Sequence, residues 1–190
     1  MQTDLEEVMK NVFKKPHFPV DYDQLAAKLI YHRLKPRHQI KFGDILVTPY
    51  QLDHPDPCWG YRFEHQGKVF SYCVDTECTR TTRAEIGPDL PLYQGVDLMV
   101  FDAQYSISEV TEKVNWGHAA APIGLDIAMR EGIKRVLFVH HDPFSSDEKV
   151  AAAEFQTRRY YEAHLKDKTA EQSLHKVDWS FAHEDLVIKL

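Results

Sequence analysis

Two uninterrupted apolar runs constrain this chain more than any other feature: VDLMVFDA at 96–103 and KRVLFVHH at 134–141. Each is too short for a buried helix and rich in β-branched and aromatic residues, which predicts a buried strand. The segment between them contains AAAPIGLDIAMREGI (119–133), which predicts a helix stopped at Gly132. SDEKVAAAEFQTRRYYEAHLKD (146–167) predicts a second helix, begun by Ser146 with an acidic first turn. Upstream, HQIKFGDILVTPYQL (38–52) reads as two strands around Gly43. CWGYRFEHQGKVFSYCVD (58–75) reads as a hairpin turning at Gln66-Gly67. LIYHRL (29–34) alternates and is expected as a strand, as are KVDWSFAHE and DLVIKL near the carboxyl end. Asp4 is expected to cap a short amphipathic helix, and 76–95 to form a loop with a helical turn. The pattern is antiparallel strands first, then strand–helix–strand–helix, an α/β organisation.

Composition narrows the function classes. The chain has 190 residues, 43% apolar and 27% charged, enough for one domain with a real core over 1–190. A net charge of −6 gives no overall pull toward nucleic acid or an anionic membrane. The basic run TRTTR (79–83) has acidic neighbours and reads as a solvated loop. Three cysteines without a CxxC pair suit a reducing compartment, and the charged start MQTDLEEVMKNVFKK is not a signal peptide, so a cytoplasmic location is expected. No apolar run is long enough to span a bilayer.

The strand ends carry the chemistry. VTPYQLDHP leads to His54, KVFSYCVDTE to Asp75, VDLMVFDAQ to Asp102 and RVLFVHHDP to His140, while VNWGHAA presents His118 just before a helix. Each has an ordinary explanation: His54 as a turn residue, Asp75 and Asp102 as turn caps, His118 as a helix cap. Together they place metal-ligating and proton-moving groups on several strand tips, where α/β proteins keep their ligands. An aspartate can bridge two divalent ions, and imidazoles can fill the outer positions. Such an ion pair activates water and clamps both oxygens of an in-line displacement, while an unligated histidine protonates the leaving group. His140 and His141 are neighbours and should point to opposite faces of a strand. His140 is therefore the ligand candidate, with His141 and Asp142 contacting substrate or supporting the ligands. Cys73, two residues before Asp75, is expected in the core.

LDHPDPCWGYRFEHQGKVFSYCVDTE, followed by LMVFDAQYSISEVTEKVNWGHAAAPIGLDIAMREGIKRVLFVHHDPFSSDE, resembles the metallo-β-lactamase-fold hydrolases. The resemblance is nearest the branch of ribonuclease Z and the related cyclic-nucleotide phosphodiesterases, and it extends over essentially the whole chain. It implies an αββα sandwich, with Zn or Mn as cofactor and two ions in a complete site. It further implies that His54 binds the first metal, Asp75 bridges, His140 binds the second, and His118 acts near the scissile phosphate beside Asp102. The family's His-x-His-x-Asp-His motif occurs nowhere in the 190 residues. The sandwich is therefore expected without its amino-terminal part, leaving three ligands and an exposed sheet edge or apolar face. Two readings follow. One is the carboxyl-terminal half of a two-metal hydrolase of phosphodiester bonds, in a cyclic nucleotide or RNA, completed by a missing segment or a partner chain. The other is a non-catalytic or split-protein interaction domain that keeps the fold; self-association is compatible with either.

Overall fold

The computed structural model describes residues 4–166 and 174–190. They divide into two compact units, one reaching to Leu34 and one from Lys35 to Leu190. In the first, α1 (Leu5–Val12) begins at Asp4, whose carboxylate accepts the Glu6 N–H as expected, and a 3₁₀ turn follows at Tyr22–Gln24. Tyr22 and Tyr31 join their hydroxyls at 2.8 Å. The expected strand at 29–34 does not form: these residues join none of the strands of the sheet, and alternation alone does not make a strand.

The second unit is built on a seven-stranded sheet whose spatial order follows the chain, β1-β2-β3-β4-β5-β6-β7. β1 (Ile40–Phe42) and β2 (Ile45–Gln51) are the strands expected around Gly43. β3 (Trp59–His65) and β4 (Lys68–Cys73) form the expected hairpin. Its turn has φ of 49° at Gln66 and 74° at Gly67, the left-handed pair of a type I′ turn. These four strands pair antiparallel. β5 (Leu98–Asp102), β6 (Arg135–Val139) and β7 (Asp178–Phe181) then add in parallel. The two apolar runs are thus central strands, and β5 is buried along its whole length. The expected carboxyl-terminal strand at 185–190 is absent: β7 ends the sheet, and that segment runs on without a ladder partner.

Two single-turn helices, α2 (Arg83–Ile86) and α3 (Ile107–Val110), lie in the connections. One sheet face carries Cys73, Met99, Phe101, Val136 and Phe138 into a core with α4 (Ala121–Glu131). Gly124 of α4 lies against the Phe101 ring, and a Cβ there would come within 2.6 Å of it, so the glycine sets how closely helix and strand approach. α4 ends at Gly132, whose φ of 72° forms the left-handed cap. α5 (Asp147–Lys166) packs on α4, and the end of the longer predicted helix, at 167, lies outside the described residues. Its buried Tyr161 donates to the Val177 carbonyl and accepts the Val177 N–H, both at 2.8 Å, which fixes the chain entering β7. On the opposite sheet face, Val47, Phe63, Phe70 and Leu98 lie in one register row, and Pro49, Tyr61, Tyr72 and Val100 in the next.

This topology brings the candidate residues to one place. β4, β5 and β6 run parallel, so Asp75, Asp102 and His140 sit at the same end. β2 is antiparallel to β3, which is antiparallel to β4, so the chain leaving β2 toward His54 also emerges there.

Candidate metal centre

Asp102 is the hub. It closes β5 with its side chain fully buried, and five protein N–H groups surround its carboxylate. Oδ2 accepts from His118 Nδ1 at 3.0 Å, His140 Nδ1 at 3.1 Å and the Asp75 amide at 3.0 Å. Oδ1 accepts from the amides of Gln104 at 3.1 Å and Ala119 at 3.2 Å. A carboxylate offers about four lone-pair sites, so these contacts saturate it. Asp102 therefore orients its neighbours and has no lone pair left over for an ion. The expected contact with His118 is present; the equal contact with His140 was not foreseen, because the partner lies one strand away.

Two strained backbone positions complete the arrangement. Asp75 has φ of 62° and His140 of 65°, the left-handed region that non-glycine residues rarely enter. Such conformations persist where the surroundings over-determine them, and they gather at functional sites. The first turns the Asp75 N–H onto Asp102, and the second folds the His140 ring back over the end of β5. Both imidazoles thus spend Nδ1 on one buried carboxylate and direct Nε2 away from it. His140 Nε2 lies 3.5 Å from Asp75 Oδ1, and the two rings stand 4.9 Å apart. The Asp102 carboxylate holds the His140 imidazolium above the ordinary histidine range, against the opposing effect of burial.

Asp75, Asp102, His118 and His140 offer ligand atoms all within 4.8 Å of one another, the one such group among the described residues. With Asp102 committed to its N–H donors, Asp75 Oδ1 and His140 Nε2 are the pair that fits a divalent ion. Metal-binding histidines characteristically give their second ring nitrogen to a carboxylate, which fixes tautomer and orientation. Zn²⁺ distances of about 2.0–2.1 Å in a tetrahedron separate two ligand atoms by roughly 3.3 Å, close to the 3.5 Å between His140 Nε2 and Asp75 Oδ1. Asp75 is half-exposed, so one side of the site stays open.

Residues 2–141 match the family described as Beta-lactamase superfamily domain. The chain belongs to that superfamily. Its fold is similar to that of the metallo-beta-lactamase fold protein YhfI from Bacillus subtilis, with a TM-score of 0.57 at 14% identity, covering 95% of this chain and 59% of that one. It is also similar to Zn²⁺-bound PqqB from Methylobacterium extorquens (TM-score 0.56, 16% identity, 83% of this chain and 55% of that one). A diphosphatase of the PhnP family gives a TM-score of 0.52 at 16% identity, over 97% of this chain and 55% of that one. At such identities the likeness carries the fold alone. The chain spans 55% to 59% of the length of these structures. Comparison with curated proteins gave no match.

The remaining candidates of this superfamily member take distinct places. His54 lies at the same sheet end, its ring centre 6.2 Å from that of His118, but outside the four-residue group. Its Nδ1 faces the Asp56 backbone at 3.0 Å, and its ring rests on Gly117, whose φ is 83°. α4 is capped by Ala120, so His118 is not the helix cap. His141 turns away from the cluster and stacks on Phe181 at 5.1 Å and 15°, where burial pushes its pKa down. Asp142 caps the following turn by accepting the Phe144 N–H. Cys73 is buried in the core as expected, and Arg80 and Arg83 of the basic run pair with Asp53 and Glu131. Among the described residues, no helix is long and apolar enough to cross a membrane.

Proposed function

We propose that this chain supplies one part of a metal-dependent hydrolase site acting on phosphodiester bonds, in a cyclic nucleotide or RNA. The observation that carries the reading is the shared carboxylate of Asp102, which receives Nδ1 of both His118 and His140. In this reading Asp75 and His140 hold a divalent ion, Zn or Mn, and His54 joins from the neighbouring loop. The ion supplies electrostatic stabilisation of the charge that builds on a phosphoryl oxygen. His118, kept in one orientation by Asp102, presents Nε2 to the leaving oxygen and delivers its proton. The half-exposed Asp75 leaves room for substrate and water.

The ligand count sets the limit of the reading. A catalytic zinc takes about three protein ligands plus water, and with Asp102 saturated the described residues fall short of two such sets. The remaining ligands are proposed to come from a segment carrying His-x-His-x-Asp-His, on the same or another chain. The edge strand β1, whose Phe42 and the Ile45 opposite it on β2 are both about two-fifths exposed, supports the second reading as an interaction domain. Zinc stoichiometry and hydrolysis of bis(p-nitrophenyl) phosphate, measured on the 190-residue chain with and without that segment, separate the cases. Weak zinc binding and no turnover alone, with both restored together, are expected. Full loading and turnover from this chain alone would overturn the incomplete-site reading, and zinc loading without turnover in the completed protein would favour the interaction domain.

A further inference from the structure

The loop that delivers His118 carries a second pair of side chains that the metal centre does not use. After α3 the chain makes a tight turn in which the Trp116 N–H donates to the Lys113 carbonyl at 3.2 Å. A turn closed between its first and fourth residues brings its two ends together. The ammonium of Lys113 accordingly lies 5.7 Å from the centre of the Trp116 ring. The same ammonium lies 3.9 Å from the centre of the Tyr105 ring. Tyr105 is buried, and its ring also meets that of His118 edge to face, with centres 5.7 Å apart. One ring thus contacts both the Lys113 ammonium and the proposed acid. The backbone of the loop is anchored on both sides. Asn115, at φ of 66°, donates its N–H to the buried Glu77 carboxylate at 2.8 Å, and Lys113 donates its own N–H to the Glu109 carbonyl at 3.0 Å.

Two features of this pair are unusual. The Trp116 ring is 62% exposed, although an indole is among the largest apolar surfaces a chain can bury. Lys113 makes no ion pair among the described residues, not even with its neighbour Glu112, whereas Lys149 is taken by Glu109 at 2.8 Å. At 5.7 Å from Trp116 the ammonium sits near the outer reach of a cation–π contact, so it does not close off the indole. A cation without a carboxylate and an open aromatic face, side by side on an anchored loop, meet the two needs of a nucleotide. One is a positive charge for the phosphate, the other a π-face for the base. Trp116 is two residues from His118, so their Cα atoms are at most about 7.6 Å apart, the scale of a single nucleotide.

We propose that Trp116 and Lys113 form the base-and-phosphate recognition element of this site, with a nucleobase stacked on the indole and Lys113 paired to an oxygen of the phosphodiester presented to His118. The proposal rests on the hydrolase reading above and narrows its substrates to phosphodiesters that carry a base, cyclic nucleotides and RNA being the two sources. Trp116 and Lys113 bind and position the substrate; neither moves a proton. The anchored backbone under both groups lowers the ordering cost of binding.

The test is ligand binding to the metal-free 190-residue chain, which needs neither turnover nor the missing ligands. The probes are cyclic AMP, the linear diester adenylyl-adenosine, adenosine without phosphate, and trimethylene phosphate, a cyclic phosphodiester without a base. ¹H–¹⁵N spectra follow the titrations. Cyclic AMP or adenylyl-adenosine should shift the Trp116 indole signal and bind about tenfold tighter than adenosine or trimethylene phosphate, and the tighter of the two diesters identifies the source. Trp116→Ala should weaken that diester about 5–150-fold, the usual effect of removing an aromatic that stacks on a base, and leave trimethylene phosphate unchanged. Trp116→Phe keeps a ring and should retain most of the affinity. Lys113→Gln should remove the diester's advantage over adenosine and flatten its salt dependence, while Lys113→Arg retains both. Trimethylene phosphate binding as tightly as the diesters would overturn the proposal, as would unchanged affinity in a folded Trp116→Ala chain or the absence of any indole shift. Turnover by the completed protein judges the hydrolase reading separately. Turnover without Trp116-dependent binding sinks the recognition element alone, and Trp116-dependent binding without turnover sinks the hydrolase alone.

Discussion

His140 donates Nδ1 to Asp102 Oδ2 at 3.1 Å from the tip of the neighbouring parallel strand, sharing that oxygen with His118. A single buried carboxylate therefore fixes two imidazoles, and its position is itself fixed by three backbone amides. Geometry at the cluster is inherited from the β5–β6 register. Asp102 opposes Val139, so the next residue, His140, is the one that can fold back over it.

Asp102→Asn tests that dependence. The substitution keeps the shape but places an NH₂ group among N–H donors, leaving buried groups unpaired. Breaking a buried charged network by removing one partner costs about 3–5 kcal/mol. Loss of a carboxylate that orients ligating histidines lowers metal affinity about 10–100-fold. Urea unfolding and zinc titration of the variant should show both losses. Unchanged zinc affinity in a folded variant would mean that the Nδ1 contacts do not orient ligands.

His118 and His140 look alike around Asp102, and the proposal gives them different work. In the protein completed by the missing ligands, His140→Ala should lose zinc and turnover together. His118→Ala should lower turnover about 10²–10⁴-fold, the usual contribution of a positioned acid, while zinc content stays constant. Elemental analysis beside kinetics separates the two. Zinc lost from His118→Ala would make His118 a ligand.

Much of this was legible before the structure. The runs at 96–103 and 134–141 could be nothing but buried strands, and a chain that ends several strands in His or Asp announces where its chemistry sits. Sequence patterns report local structure well and pairing poorly. Hence LIYHRL, with good alternation, forms no strand, and the saturation of Asp102 by donors from three separate segments could not be read at all. His141 shows the same limit. Its opposite orientation from His140 does not come from strand alternation, because β6 has ended at Val139 and His140 is left-handed, and its stack on Phe181 depends on β7 adding beside β6, a long-range fact.

Glu109 offers a pH-dependent reporter beside Lys149. The Lys149 ammonium, followed by Ser106, draws its pKa down from the ordinary 4.5 to about 2. A depressed acid stabilises the fold above its unfolded value, and that contribution is lost as pH falls from about 4.5 through about 2. Glu109 also closes the capping box of α3 (Ile107–Val110), so its protonation should loosen that turn first. Ser106 and Glu109 amide shifts should titrate with a midpoint well below 4.5, and Glu109→Gln should remove the transition. A midpoint at the ordinary glutamate value would mean that Lys149 does not hold the carboxylate in solution.

Gly117 and His54 give the sharpest steric test. A Cβ on Gly117 would overlap the His54 imidazole, at both Cδ2 and Nε2, and the backbone there has φ of 83°. Two costs therefore combine in Gly117→Ala: left-handed strain of about 1–2 kcal/mol, and displacement of a ring held between Gly117 and the Asp56 backbone. Gly95 supplies the control, because its φ of 62° carries the same strain while a Cβ would meet nothing within 4 Å. Gly95→Ala should lose only the strain. Gly117→Ala should lose more, by about 1–3 kcal/mol, the usual range for overpacking, and should move the His54 ring resonances, which Gly95→Ala leaves in place. Chemical denaturation of both variants, with ¹H–¹³C spectra of the histidine rings, measures the two effects separately. Equal losses with an unmoved His54 would show that the ring is free to leave Gly117, and its place beside the cluster would then not be set by this contact.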